Sequence, residues 1–381
     1  MNKITFIILN ICLVSFISLN NLISQVVSTP VPAVSTFNDG LAMDSEGNIF
    51  ASRYFSTTIT KITPSGETSI FATGLNNPNG TTFGSDGYLY VPNNVQAGSI
   101  IKFSPSGISE PFIPSIPYPS TVIFRDDGKM YICSYQLNLV YLADTAGNYS
   151  TLYTGNGMNG PVGMRIDNNG NLLLANYTDG KIFSVTQSGV FSTIADLNGI
   201  IGFIEFANGY IYATGFDLNR IYKISLSGDI SILAGTGNAG QTNGPASSAT
   251  FNGPNGILAS PGGDSLFISD YYPRSLRLIS GVTVGVTNIS SLIPENYEIS
   301  QNYPNPFNPE TKIIYQIPVR EKVIIKVSDV SGKEIETLVN EIQNPGTYQV
   351  NFNGVNYSSG VYLYTVQSGS FSKTMKMILI K

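Results

Sequence analysis

A unit of about 40 residues recurs along this chain, and a repeat of that length constrains the fold more than any single motif. Aligned on its first turn, the unit occurs six times: Ser45-Glu46-Gly47, Ser85-Asp86-Gly87, Asp126-Asp127-Gly128, Asn168-Asn169-Gly170, Ala207-Asn208-Gly209 and Pro261-Gly262-Gly263. A second turn follows at Pro64-Ser65-Gly66, Pro105-Ser106-Gly107, Thr145-Ala146-Gly147, Gln187-Ser188-Gly189 and Leu226-Ser227-Gly228. Short apolar runs lie between these Asx/Ser-Gly turns, which is hairpin chemistry, and each copy holds about four of them. A four-stranded unit of this length is a propeller blade, so a six-bladed β-propeller is predicted over residues 26–281. The sixth copy stops after Ser275-Leu276-Arg277-Leu278-Ile279 and lacks an outer strand. Val26–Thr29 and Val31–Thr36, ahead of the first copy, are expected to supply it and close the ring.

Composition agrees with an all-β chain. Of 381 residues, 42% are hydrophobic and only 12% charged, with 38 Gly and 21 Pro, which suits turns and strands better than helices. The net charge of −5 gives no basic footprint, so no nucleic-acid partner is expected. There is no His, which removes Ser-His-Asp and Cys-His catalysis and every His metal ligand. There is no Trp either, so aromatic recognition falls to Tyr and Phe. Cys133 lies in the strand-like run Met130-Tyr131-Ile132-Cys133-Ser134 and reads as a buried small hydrophobe.

The ends of the chain are of another kind. Lys3 followed by the apolar run Ile4 to Ile17 reads as a signal peptide spanning residues 1–24, too short and interrupted for a membrane span, so the mature chain is expected to have none. Cys12 belongs to this leader. Residues 282–293 are rich in Val, Thr, Ser and Asn and read as a linker. Strand-like runs then follow at Thr311–Ile317, Lys322–Val327, Lys333–Val339, Thr347–Phe352, Gly360–Gln367 and Phe371–Ile380. Their number and length predict a small immunoglobulin-like β-sandwich over residues 294–381.

Columns across the six repeats supply the candidate site. The end of the second strand carries Arg53, Asn93, Ser134, Asn176, Gly215 and Asp270, and the next position carries Tyr54, Asn94, Tyr135, Tyr177, Phe216 and Tyr271. The two columns would form a polar and a broken aromatic ring at the mouth of the central channel, suited to a ligand. Alternatively, the polar groups cap strand ends and the aromatics pack between blades. A first-strand column reads Met43, Phe83, Phe124, Ile166, Glu205 and Ala259. The carboxylate among apolar residues is either a register slip or a metal ligand or general base in the channel.

Two resemblances extend this reading. Ala234-Gly235-Thr236-Gly237-Asn238-Ala239-Gly240, with Asn243-Gly244-Pro245-Ala246, Pro254-Asn255-Gly256-Ile257 and Leu266-Phe267-Ile268-Ser269-Asp270, resembles the NHL family of propellers. Related six-bladed propellers include gluconolactonase-like lactonases, which hold a divalent cation with Glu, Asn and Asp. That relation implies Glu205, Asn176 and Asp270 as candidate ligands for a cation such as calcium. The lactonase Glu-Gly-Pro signature is absent, its place being taken by Asn38-Asp39-Gly40. Streptogramin-lyase propellers depend on His, which this chain lacks. The tail, with Asn302-Tyr303-Pro304-Asn305-Pro306-Phe307-Asn308-Pro309, Asp329-Val330-Ser331-Gly332-Lys333-Glu334, Leu338-Val339-Asn340-Glu341, Ser358-Ser359-Gly360-Val361-Tyr362 and Lys373-Thr374-Met375-Lys376-Met377, resembles a type A sorting domain of the type IX (Por) secretion system. It implies a secreted or surface protein that meets the secretion machinery through residues 294–381. The expected role is binding of an extracellular ligand or protein; a metal-dependent hydrolase of the lactonase kind is the alternative, and a structural surface protein a third.

Overall fold

The computed structural model describes residues 25–34, 36–282, 287–290, 293–354 and 357–381, so the expected signal peptide lies outside the described residues. Every helix or strand among them is a strand. Five of the six repeats fold as expected into four-stranded antiparallel sheets, and the sixth into a five-stranded one in which Gly244–Pro245 pairs outside Val26–Val31. Blade 1 contains Leu41–Met43, Ile49–Ala51, Ile59–Ile62 and Thr68–Ala72, and blades 2 to 5 repeat this order through Ala234. Blade 6 takes its three inner strands from Pro254–Ala259, Ser265–Asp270 and Ser275–Ser280. Its fourth strand is Val26–Val31, with Val27 opposite Ile279 and Val31 opposite Leu276. The ring is thus closed by a pairing between the two ends of the propeller, which leaves neither end as an open edge.

Burial follows position in the blade. The second strands Leu89–Asn93, Met130–Ser134 and Leu172–Asn176 are buried at every residue, because a neighbouring blade covers each face. This accounts for continuous apolar runs where a sheet with one wet face would alternate. The outer strands Thr68–Ala72 and Ser109–Ile113 are exposed over their first three residues and buried only at their last. The core is divided into wedges between blades. Ile100 and Ile113 of blade 2 meet Met130 and Ile132 of blade 3, and Val31 and Leu276 meet Leu41 and Ile49 across the closure. Cys133 is one such wedge residue; burial pushes its thiol up to about 12, so it remains a protonated apolar group.

The tail forms a sandwich of two four-stranded sheets. One runs in the order Thr287–Ser290, Gly346–Asn353, Glu310–Ile317 and Glu298–Ile299; the other runs Glu334–Gln343, Glu321–Asp329, Gly360–Ser368 and Phe371–Leu379. Strict alternation of burial along Gly346–Asn353 turns Tyr348, Val350 and Phe352 towards Val323, Ile325, Tyr364 and Leu379. The expected linker at 282–293 needs correction: Thr287–Ser290 pairs with Gly346–Asn353 as an edge strand. Its polar composition suits an edge as well as a linker. Motif residues of the proline-rich run serve the sandwich itself. The Asn302 side chain donates to Thr311 and to the Pro304 carbonyl and its backbone N–H donates to the Tyr364 hydroxyl oxygen, while Phe307 is buried in the core.

Candidate functional site

The channel axis is filled. Phe203, on the inner strand of blade 5, reaches Gly80 on blade 2, the opposite blade of a six-membered ring. A Cβ on Gly80 would stand 2.8 Å from Phe203 Cε1, so the missing side chain is what admits the ring. Val162 packs with Phe203, and Tyr135 and Tyr177 pack against that cluster. Phe203 thus plugs the axis beneath the end of the propeller that carries Tyr135 and Tyr177.

Asp39 lies at this mouth and is 4% exposed. Asn255 Nδ2 donates to its Oδ1 at 2.9 Å, and the backbone N–H groups of Tyr54 and Gly40 also donate to it. These bonds do not offset desolvation, and burial raises its carboxyl to about 7. The Asp39 carbonyl accepts from Ser269, which ties blade 1 to blade 6 at the closure.

Two members of the aromatic column, Tyr54 and Tyr177, feel the charge of this carboxyl. Tyr135 and Tyr177 are 5.8 Å apart between ring centroids, Tyr177 and Phe216 6.0 Å, and Phe216 and Tyr271 5.3 Å, mostly edge to face. Tyr272 extends the chain from Tyr271 at 5.3 Å. Blade 2 interrupts it with Asn94, and Tyr54 of blade 1 crosses that gap to hydrogen-bond Gln136 of blade 3. Burial, with Tyr135, Asp39, Tyr271 and Tyr272 nearby, pushes the Tyr177 hydroxyl up to about 12. Tyr177 belongs to the blade opposite Asp39, and the charge of Asp39 is among the causes that raise its hydroxyl, so the two groups face the same end of the ring.

Hydrogen-bonding capacity is left over at the same place. The buried amide oxygens of Asn38, Asn79 and Asn94 accept no hydrogen bond among the described residues, although Asn38 donates to the Tyr271 carbonyl and Asn94 to Ser120. Buried acceptors in that state are costly and few in native proteins. Beside the mouth, between blades 1 and 6, a cleft of about 220 Å³ is lined by Asn38, Arg53, Tyr54, Phe55, Tyr271, Tyr272 and Arg274.

The polar column behaves differently. Asn93 accepts from the Asn76 N–H and donates to Ser99; Asn176 accepts from Asn159 N–H and donates to the Gly157 carbonyl and Asp179. Asp270 accepts from Asn252 N–H and pairs with Arg277, both side chains having no exposure. These groups hold the loop that leads into their own blade. In blade 5 the position is Gly215, and Asp217 takes over by accepting from the Ile200 N–H. Ser134 is buried, and of this column only Arg53 lines the cleft.

The three residues considered for a cation are not brought together. Glu205 is held by Arg165 of blade 4 through two bonds, Nε–Oε1 at 2.7 Å and Nη2–Oε2 at 2.8 Å. Asn176 and Asp270 are engaged in separate loops. A divalent cation therefore does not fit this set, because the oxygens it needs are already committed to a guanidinium or to backbone donors. Among the described residues no group of three or more Asp, Glu, Cys or His side chains could hold a metal ion. The odd carboxylate is a register effect. Ile166 stands opposite Leu172 across a five-residue loop, whereas blade 5 turns over Asn208-Gly209 alone, both with positive φ, and pairs Phe206 with Ile211. Phe206 thus occupies the Ile166 position, and Glu205 matches Arg165, its partner.

Reading columns from the sequence found the tyrosines but missed Asp39, Phe203 and Tyr272. The signal for Asp39 was a further column at the start of the inner strand: Asp39, Asn79, Ser120 and Asn255.

Comparison with known proteins bears on the two halves separately. Residues 301–381 match the family described as the secretion system C-terminal sorting domain. The tail is a type IX (Por) sorting domain. The protein is accordingly exported to the cell surface or beyond it, and the sorting domain implies interaction with that secretion machinery. No curated protein matches the chain. Among solved structures, an auxiliary nutrient binding protein from Bacteroides ovatus is similar at 13% identity, over 68% of this chain and 76% of that one, with a TM-score of 0.59. A gluconolactonase from Xanthomonas campestris matches at 11% identity, over 67% and 89%, with a TM-score of 0.54. The PQQ-bound aldose sugar dehydrogenase from Streptomyces coelicolor matches at 16%, over 66% and 97%, with a TM-score of 0.52. At these identities the likeness establishes the propeller fold alone.

Proposed function

We propose that this exported propeller is a binding module whose site is the tyrosine-ringed channel mouth, and that its ligand is a small hydroxylated molecule of the sugar class. The observation that carries this reading is the coincidence of three features at one mouth. Tyr54, Tyr135, Tyr177 and Tyr271 supply aromatic faces with polar edges, Asn38, Asn79 and Asn94 keep buried acceptors in reserve, and Asp39 carries a carboxyl near neutrality. Sugar rings present apolar C–H faces and hydroxyl edges, which match aromatic faces and amide oxygens respectively. Phe203 closes the channel beneath, so the ligand rests on the mouth and does not thread the ring.

The test is calorimetric titration of the protein with xylo-, cello-, manno- and galacto-oligosaccharides, beside the Tyr272→Ala variant. Tyr272 is 62% exposed, so its truncation leaves folding alone. At least one saccharide should bind, and the variant should bind it about tenfold more weakly, as expected for an aromatic contact worth ~1.5 kcal/mol. Absence of binding across the panel at millimolar concentration would reject the proposal.

A further inference from the structure

The cleft between blades 1 and 6 has a character that the rest of the mouth lacks. Its lining contains two guanidinium groups, Arg53 and Arg274, and no carboxylate. Arg274 makes no ion pair among the described residues, unlike Arg165 and Arg277, whose charges are used by Glu205 and Asp270. Its backbone is fixed: the N–H donates to the Asp270 carbonyl, the carbonyl accepts from Val34, and φ is 55°. A chain held in that left-handed conformation aims the side chain from a rigid base and not from a mobile tip.

The remaining lining supplies the other parts of a recognition site. Phe55 is 73% exposed and Tyr272 62%, with Tyr54 and Tyr271 beside them. Asn38 is 4% exposed, and its Oδ1 has no donor among the described residues. An isolated surface arginine would carry no meaning. A cationic cleft with exposed aromatic walls and a buried unpartnered acceptor has the parts of a ligand site.

Resting on the reading of the mouth as a sugar site, we infer that the ligand is an acidic saccharide whose carboxylate is read by Arg274 and Arg53 in this cleft. Guanidinium forks match a planar carboxylate in two parallel bonds, and such charge-assisted bonds are stronger than neutral ones. A hydroxyl next to the carboxylate would donate to Asn38 Oδ1, and the ring face would lie against Tyr272 or Phe55. The volume of about 220 Å³ is below the ~300–1,000 Å³ of drug-sized sites, so it holds one acidic ring while neighbouring rings extend over the mouth. A charged Asp39 would oppose an anion nearby; with its carboxyl at about 7 it is largely neutral in mildly acidic surroundings.

The experiment pairs uronate oligosaccharides with their neutral counterparts (galacturonate with galactose, glucuronate with glucose, mannuronate with mannose) and adds a sulfated galactose oligomer. Each is titrated calorimetrically into the full protein and into Arg274→Gln and Arg53→Gln, with a thermal melt of every variant as a control for folding. One uronate should bind at least about tenfold more tightly than its neutral counterpart, as charge-assisted bonds worth ~1.5–3 kcal/mol require. Arg274→Gln should reduce that preference to within twofold, with the larger loss of affinity falling on the uronate. Equal binding of acidic and neutral members, or a preference that survives both substitutions, overturns the inference while leaving the sugar site intact. Preference for the sulfated oligomer over every uronate overturns the carboxylate assignment. Failure of every saccharide to bind defeats the broader reading as well.

Discussion

Two rings of residues sit one position apart at the ends of the second strands, and they do opposite things. Asn93, Asn176 and Asp270 turn into the sheet edge and bind the loop leading into their blade, whereas Tyr177, Phe216 and Tyr271 turn into the mouth and touch one another. The polar residue is the last of its strand and the aromatic residue the first of the following turn, and that change of backbone separates the two directions. The polar ring is the one with the chemistry of a site, yet Asn93, Asn176 and Asp270 spend their hydrogen bonds on their own loops and on neighbouring side chains. The aromatic ring is the one with the appearance of packing, yet it borders the unsatisfied acceptors and the cleft. Unspent acceptors beside exposed aromatic rings locate the site better than polarity alone does.

The largest test of this difference is Asp270→Ala against Tyr272→Ala. Asp270 binds the Asn252 N–H and neutralises Arg277, which has no exposure and also holds the Thr250 and Thr242 carbonyls. Its removal strands a buried cation and should cost the propeller ~3–5 kcal/mol, read as a lower urea midpoint of the propeller transition. Tyr272→Ala should stay within ~0.5 kcal/mol, as expected for an exposed side chain. Comparable losses in the two variants would erase the contrast between the rings.

Much of the fold was legible because every blade repeats the same turn chemistry, and the closing strand could be inferred from a copy that ended early. The site was legible only in part. Tyr54, Tyr135, Tyr177 and Tyr271 could be picked out because they share a column. Glu205 drew attention for the wrong reason: an alignment anchored on turn glycines takes no account of turn length, and Asn208-Gly209 is a shorter turn than its counterparts. Phe203 could not be anticipated, because its partner is the missing side chain of Gly80 on the opposite blade, a contact that no local pattern encodes. Thr287–Ser290 escaped because a short polar edge strand differs little from a linker.

A second prediction concerns the carboxyl beneath the aromatic ring. In the folded protein Asp39 holds its proton up to about pH 7, well above its ordinary value of 3.8. Between those values the folded state binds more protons than the unfolded one, so stability falls as pH rises. From pH 5 to pH 8 the loss from Asp39 is on the order of 2 kcal/mol. Asp270, raised to about 6 by burial, adds a loss in the same direction at lower pH. Asp39→Asn keeps the shape without the charge and should remove most of the slope between about pH 6 and pH 7 in the propeller melt. A slope unchanged in that variant would place the titrating group elsewhere.

A smaller loss than that of either buried carboxyl belongs to the one blade where the polar ring is absent. A Cβ at Gly215 would meet Leu218 Cβ and Tyr222 Cε2, each at 2.9 Å, so blade 5 has no room there for the Asn or Asp of blades 2, 4 and 6. The loop is held instead by Asp217, whose Oδ1 accepts the Ile200 N–H at 2.8 Å from an exposed position. A hydrogen bond open to water is worth ~1 kcal/mol, so Asp217→Ala should lower stability by about that much, well below Asp270→Ala. The variant should also increase amide exchange at Ile200 without changing saccharide binding at the mouth. If it left exchange at Ile200 unaltered, the loop would owe its position to packing alone, and the polar ring would lose the role assigned to it in the other blades.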